Sequence, residues 1–220
     1  MLHDPALVLA SFVVVGILVL LARAAARWGR STPGSLRKVL HALVGAWTLV
    51  ITPFFHHLVW AIVPPVAFAI LNASPKAREL MPTLATGKRE SRGLWTFPVG
   101  VALVYLAFWE ESPRPAILAG LATLAFADPI AAIVGTRYGQ RRFHGFGDGR
   151  SLEGSLAFFA VAALSVGTVA SISGSGAYPW RMGVGCGAAG ALSEALSPSG
   201  WDNLTIPLAV AAAYRMFALT

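Results

Sequence analysis

Residues 128–155 read DPIAAIVGTRYGQRRFHGFGDGRSLEGS and follow directly on the apolar run 116–127, AILAGLATLAFA. An ionised carboxylate is costly beside lipid, so an aspartate closing such a run, Asp128, reads first as a functional group. Pro129 disfavours α geometry at the residue before it, and a helix break is therefore expected at Asp128, freeing backbone groups toward water or a ligand. Beyond it, Ala131, Gly135 and Gly139 recur every fourth residue, which sets three small residues on one helical face where another helix or a substrate comes close. Arg137, Arg141, Arg142 and Arg150 then crowd a glycine-rich loop that ends in Ser151, Glu153 and Gly154, a composition suited to phosphate and its metal counter-ion.

Composition says what kind of chain surrounds this stretch. With 220 residues, 56% hydrophobic and 12% charged, and a mean hydropathy of +0.66, it is too apolar for a soluble domain of its size and reads as an integral membrane protein. The excess of 17 Lys and Arg over 10 Asp and Glu does not point to nucleic acid, because the cations flank apolar runs and so act as an orientation signal. One cysteine, Cys186, excludes an internal disulfide and a thiolate metal cluster and reads as a small packing residue. No basic region precedes the first apolar run, so that run is expected to be a retained span rather than a cleaved signal.

Apolar segments of membrane-spanning or slightly shorter length fall at 6–26, 39–55, 58–71, 94–109, 116–134, 156–172, 180–196 and 204–219. The fold expected is all-α and polytopic, with about eight transmembrane helices and the N-terminus outside. Residues 1–34 would form a first helix with a basic linker, and 35–220 the catalytic transmembrane domain. Under that topology the cytoplasmic side collects all 17 cations except Arg114, Arg181 and Arg215. It also collects four polar stretches, 35–41, 76–93, 128–155 and 194–207, so the site is expected at the cytoplasmic face of the inner membrane. The connection 72–93 reads as a solvated, orienting loop or as a lid.

Two further constellations bear on chemistry. Arg37, His41 and Gly45 lie four residues apart on one face of the second helix with Lys38 beside them; cations at a helix start oppose its dipole, which calls for interfacial snorkelling or for an anion to be bound. Near the chain's end, EALSPSGWDNLTIPL carries Glu194, Asp202 and Asn203. Asp and Asn at a helix start serve as caps. A second acid meeting Asp128 at one membrane depth would instead hold magnesium, with water and phosphate oxygens completing its shell. No P-loop is present, since Gly87-Lys88 is followed by Arg89 and preceded five residues earlier by Pro82.

RKVLH with Gly45, Asp128 with Ala131, Gly135 and Gly139, RSLEGS, and Glu194 with DNLTIPL occur in that order over most of the chain. Together they resemble the polyprenol kinase family, which includes phytol, farnesol and dolichol kinases and is related to CDP-diacylglycerol synthases. Ala127 stands where the family commonly has glycine, Arg150 where lysine is common, and Trp201 where plant relatives often have another acid. The resemblance implies transfer of the terminal phosphoryl group of a nucleoside triphosphate, usually CTP with ATP or UTP as alternatives, to the hydroxyl of an isoprenoid alcohol dissolved in the membrane. On that reading Asp128 and Asp202 bind Mg2+, and Arg37, Lys38 and Arg150 hold phosphates. Gly135, Gly139, Ser151, Glu153, Gly154 and Asn203 shape the nucleotide site, Glu194 orients or deprotonates the lipid hydroxyl, and His41 counts with Asp128 and Glu194 among the catalytic groups. The rival readings are a CTP-dependent cytidylyltransferase making a CDP-lipid and a transporter with a broken helix at Asp128.

Overall fold

The computed structural model describes residues 3–28, 33–74, 88–109, 114–143, 149–175, 178–198 and 200–219, with the side chains of residues 33 and 88–91 excepted. Arg30, Lys76, Arg78, most of the 72–93 connection and residues 144–148 of the glycine-rich loop lie outside them.

The described residues are helical almost throughout. Helix α1 spans His3–Arg27 and α2 Pro33–Ile51, and a 3-10 turn at Thr52–Phe54 leads to the short α3, Leu58–Ala61. Then come α4, Val63–Ala73, and α5, Lys88–Phe108. Helices α6, Pro115–Ala122, and α7, Asp128–Tyr138, are joined by a π-turn at Thr123–Ala127. A two-residue antiparallel ribbon, Arg142–Phe143 with Arg150–Ser151, precedes α8, Leu152–Ile172. Helices α9, Pro179–Leu196, and α10, Asp202–Ala218, end the fold. Proline near the start of α4, α6 and α9 sits where its missing N–H costs no helical bond.

Helices stand over all eight apolar segments. Among the described residues three stretches, His3–Arg27, Pro115–Tyr138 and Leu152–Ile172, are long and apolar enough to cross a membrane, and Leu58–Ala73 and Arg92–Phe108 are shorter apolar helices. Large apolar side chains remain uncovered along α1 (Leu9, Val13, Ile17, Leu20) and α8 (Leu156, Leu164, Ile172). Such faces suit a lipid surround and would be a liability in water.

The rod formed by α6, the π-turn and α7 is the centre of the bundle. Ile117, Ala119, Leu124, Ala125 and Ala127 are fully buried, and the alanines let neighbouring backbones approach closely. The expected break at Asp128 does not occur. Asp128 has helical dihedrals, φ −63° and ψ −50°, and the rod runs on through it. The physical reason is the π-turn just before it, which inserts an extra residue so that Pro129 falls in the first turn of α7, where its ring has no preceding α carbonyl to strike.

Candidate active site

The π-turn also explains how the second helix is docked. In a π-turn each carbonyl reaches five residues along, and the fifth residue after Leu124 is Pro129, which has no N–H. Leu124 O is therefore left over, and His41 on α2 takes it: Nε2 donates to Leu124 O at 3.0 Å. That contact requires α2 to lie hard against the turn. Gly45, one turn beyond His41, makes this possible, since a Cβ there would come within 2.7 Å of Ala125 Cβ. The same ring packs edge-on against Phe97 of α5, with centroids 4.6 Å apart, and its Nε2 stands 3.9 Å from Asp128 Oδ2. Lys38, one turn before His41, donates from Nζ to Ala132 O at 2.9 Å and to Thr136 Oγ1 at 3.2 Å on α7.

A second cluster assembles from α8, α9, α10 and the ribbon. Arg150, its side chain 8% exposed, places Nη1 2.8 Å from Glu194 Oε1 and Nη2 3.4 Å from Asp202 Oδ2, and Nη2 donates to Ser197 O at 3.1 Å. Ser155 Oγ donates to Glu194 Oε2 at 3.2 Å, so both oxygens of that carboxylate are engaged. Asp202 Oδ1 accepts from Asn203 N at 3.1 Å, while Asn203 Nδ2 donates to Gly93 O and Thr96 Oγ1, each at 3.2 Å, and ties the start of α10 to α5.

The two clusters share an electrostatic neighbourhood. Asp128 feels the charges of Asp202 and Glu194 on one side and of Arg150 and Lys38 on the other. They also share a cavity of about 790 Å³, lined at one end by Arg37, Lys38, His41, Asp128, Asp202 and Asn203. From there it follows α2 through Val44, Trp47, Thr48 and Ile51 to a floor of Phe55, Ala61, Pro64 and Tyr105. Fourteen residues of α2 separate Arg37 from Ile51, about 21 Å at 1.5 Å per residue. The floor is tied together where Tyr105 Oη and Thr52 Oγ1 bond at 2.6 Å. The cavity is thus a trough with a charged mouth and an apolar body.

The residues singled out in the sequence divide between two roles. Arg37, Lys38, His41, Asp128, Asp202 and Asn203 line the trough. Arg150 and Glu194 do not; they form the buried clamp that holds Asp202. Gly135, Gly139, Ser151 and Gly154 sit at a helix contact, where a Cβ on Gly139 would overlap Ser151 and one on Gly154 would lie 3.1 Å from Ala131 O. The small-residue face of α7 therefore receives another helix. Ser151 caps α8 by accepting from Gly154 N at 3.1 Å, and Glu153 accepts from Arg141 N at 3.3 Å, fastening the ribbon to the helix. The floor residues were not singled out, although the closely spaced prolines and aromatics of residues 53–68 are their signal in the sequence.

No family model and no solved structure matches the chain. Among curated proteins it is similar to the phytol kinase of Synechocystis sp., with 29% identity over 200 residues that take in 88% of this chain and 84% of the relative. That similarity supports a polyprenol kinase-like family for the chain, the one its sequence motifs resemble.

Proposed function

We propose that this chain, a phosphotransferase acting on an alcohol, is a CTP-dependent kinase that phosphorylates the hydroxyl of a membrane isoprenoid alcohol such as phytol, geranylgeraniol, farnesol or a longer polyprenol. The observation that carries the reading is the trough, whose ionic mouth and apolar body lie in one cavity of about 790 Å³. An isoprenoid tail fits along α2 with its hydroxyl among His41, Asp128 and Asp202, and a triphosphate suits the cationic rim at Arg37 and Lys38. The helices are taken to cross the inner membrane eight times with the N-terminus outside, which puts this mouth on the cytoplasmic side, where nucleotide is available.

The donor set suits a hard cation. Asp128 and Asp202 are carboxylates from two helices lining one cavity, and among the described residues each oxygen of Asp202 makes a single hydrogen bond or ion pair, leaving a lone pair. These two residues would hold Mg2+, which when bound neutralises triphosphate charge. Phosphoryl transfer rests mainly on positioning and charge stabilisation. The alcohol oxygen bonds to the γ-phosphorus as the bond to the bridging oxygen breaks, the nucleoside diphosphate leaves, and the hydroxyl proton passes to the enzyme. His41 is assigned as its acceptor. With Nε2–H committed to Leu124 O, the neutral ring keeps its lone pair on Nδ1. Glu194, held by Arg150 and Ser155, is assigned to positioning.

The test is purified protein with CTP or ATP labelled at the γ or the α phosphorus and a panel of phytol, geranylgeraniol, farnesol, undecaprenol and diacylglycerol. Label from the γ position on an isoprenoid alcohol is the expected result. Label from the α position on lipid would mark a cytidylyltransferase, and no labelled lipid at all would overturn the reading as well.

A further inference from the structure

At the opposite end of α2 from the trough's mouth, three of the chain's 5 histidines converge on one buried carboxylate. Asp4, in the first turn of α1 and 3% exposed, accepts from the backbone N–H groups of His56 and His57, both at 3.1 Å. Its Oδ1 is 3.1 Å from His56 Nδ1 and 3.7 Å from His3 Nδ1, and its Oδ2 is 2.8 Å from His57 Nδ1. The rings of His3 and His56 meet edge-on at 5.0 Å. Nothing in the proposed kinase chemistry uses this cluster.

We infer that His3, Asp4 and His56 form a zinc site on the face of the protein opposite the trough's mouth. The geometry fits first. The ligand atoms of these three residues all lie within 4.8 Å of one another. A tetrahedral zinc ion with bonds of about 2.0–2.1 Å sets its ligands about 3.3 Å apart, and the two Nδ1 atoms lie 3.1 and 3.7 Å from Asp4 Oδ1. Rotation of the exposed His3 and His56 rings adjusts this spacing. Electrostatics agree. Among the described residues the groups paired with Asp4 are imidazoles, which offer this buried carboxylate only dipoles unless they are protonated. A divalent ion supplies the missing charge directly. The support is in place too, because the two backbone N–H groups fix the carboxylate's orientation as outer-shell donors do around metal ligands. A fourth position is left for water or for His57, whose ring is 69% exposed. Two imidazoles and a carboxylate favour zinc over magnesium or calcium, which take oxygen ligands. An ion here would bridge α1 to the turn after α2, just beyond Phe55 at the trough's floor.

The experiment uses full-length protein without a polyhistidine tag, treated with chelator and titrated with Zn2+ by calorimetry. Co2+ serves as a spectroscopic probe, and the melting temperature is read with and without zinc. One zinc per chain, a tetrahedral Co2+ spectrum and a zinc-dependent rise in melting temperature are expected. His3→Ala and His56→Ala, both at exposed rings, should keep the zinc-free melting temperature. Each should weaken zinc binding by more than about 100-fold, beyond what loss of an outer-shell partner costs. His41→Ala should bind zinc as the wild type does, which separates this site from the trough. Absence of binding at micromolar zinc, or binding untouched by His3→Ala and His56→Ala, would overturn the inference.

Discussion

Replacing Arg150 by methionine tests whether this cation is a structural clamp or a phosphate ligand. Its guanidinium faces Glu194 at 2.8 Å and Asp202 at 3.4 Å, and the three side chains are only 8%, 12% and 17% exposed. At this depth, removing one member of an ion pair strands the other charge in a poor solvent, a loss of about 3–5 kcal/mol. Here two carboxylates lose the same partner. Arg150→Met is therefore expected at or above the middle of that range, about 4 kcal/mol, in reversible unfolding in mixed micelles. Glu194→Gln removes one of the stranded charges, so the double variant should recover about 1–3 kcal/mol relative to additivity, the coupling usual for residues in one ion-pair network. Arg150→Lys, with a single point donor in place of a fork, should fall between wild type and Arg150→Met. Turnover should drop with stability, because Asp202 is released. A destabilisation below about 1 kcal/mol, or zero coupling in the cycle, would refute the clamp. A raised KM for nucleotide at unchanged stability would return Arg150 to the phosphate-binding role its sequence context suggests.

Three further outcomes are expected. Asp128→Asn keeps the helix and the fold but removes the charge at the mouth, so lipid phosphorylation should fall by several orders of magnitude while the melting temperature holds; wild-type turnover in the purified variant would end the metal assignment. Ala61→Phe projects a ring into the floor of the trough, where Ala61 is 1% exposed. It should lower kcat/KM for phytol more than for the shorter farnesol, by about tenfold, equivalent to 1.4 kcal/mol, and equal losses for both alcohols would show that the tail does not reach the floor. Gly45→Val drives a branched side chain into Ala125, whose Cβ lies 2.7 Å from the position of the new Cβ. An overpacking cost of about 1–3 kcal/mol is expected, with loss of activity as His41 is levered off Leu124 O, and calorimetry with the kinase assay reads both.

Much of the molecule's character was legible along the chain. Hydropathy located a helix over each apolar segment, because exclusion of backbone polar groups from lipid leaves few alternatives to a helix. Asp128, Asp202, Lys38 and His41 drew attention for a local reason, charge or polarity at the end of an apolar run, and all four line the trough. The floor was harder to see. Phe55, Ala61 and Tyr105 come from separate stretches of the chain, so the prolines and aromatics of residues 53–68 signal an irregular segment without naming the cavity it helps enclose.

What the sequence by itself determined is therefore the class of protein and the inventory of charged groups, both of which follow from composition and one-dimensional spacing. Which of those groups meet was decided by tertiary structure. Pro129 announced a broken helix, yet a π-turn absorbed it, and the bundle supplied His41 as partner for Leu124 O, a contact 83 residues away along the chain. Arg150 and Glu194 each carry a charge that one-dimensional spacing leaves without a partner, and their pairing across 44 residues emerges only in the folded chain. Hydrogen bonds and ion pairs between distant helices depend on how closely two backbones approach. That distance is set at small residues such as Gly45 and Gly154, whose partners no single stretch of sequence names.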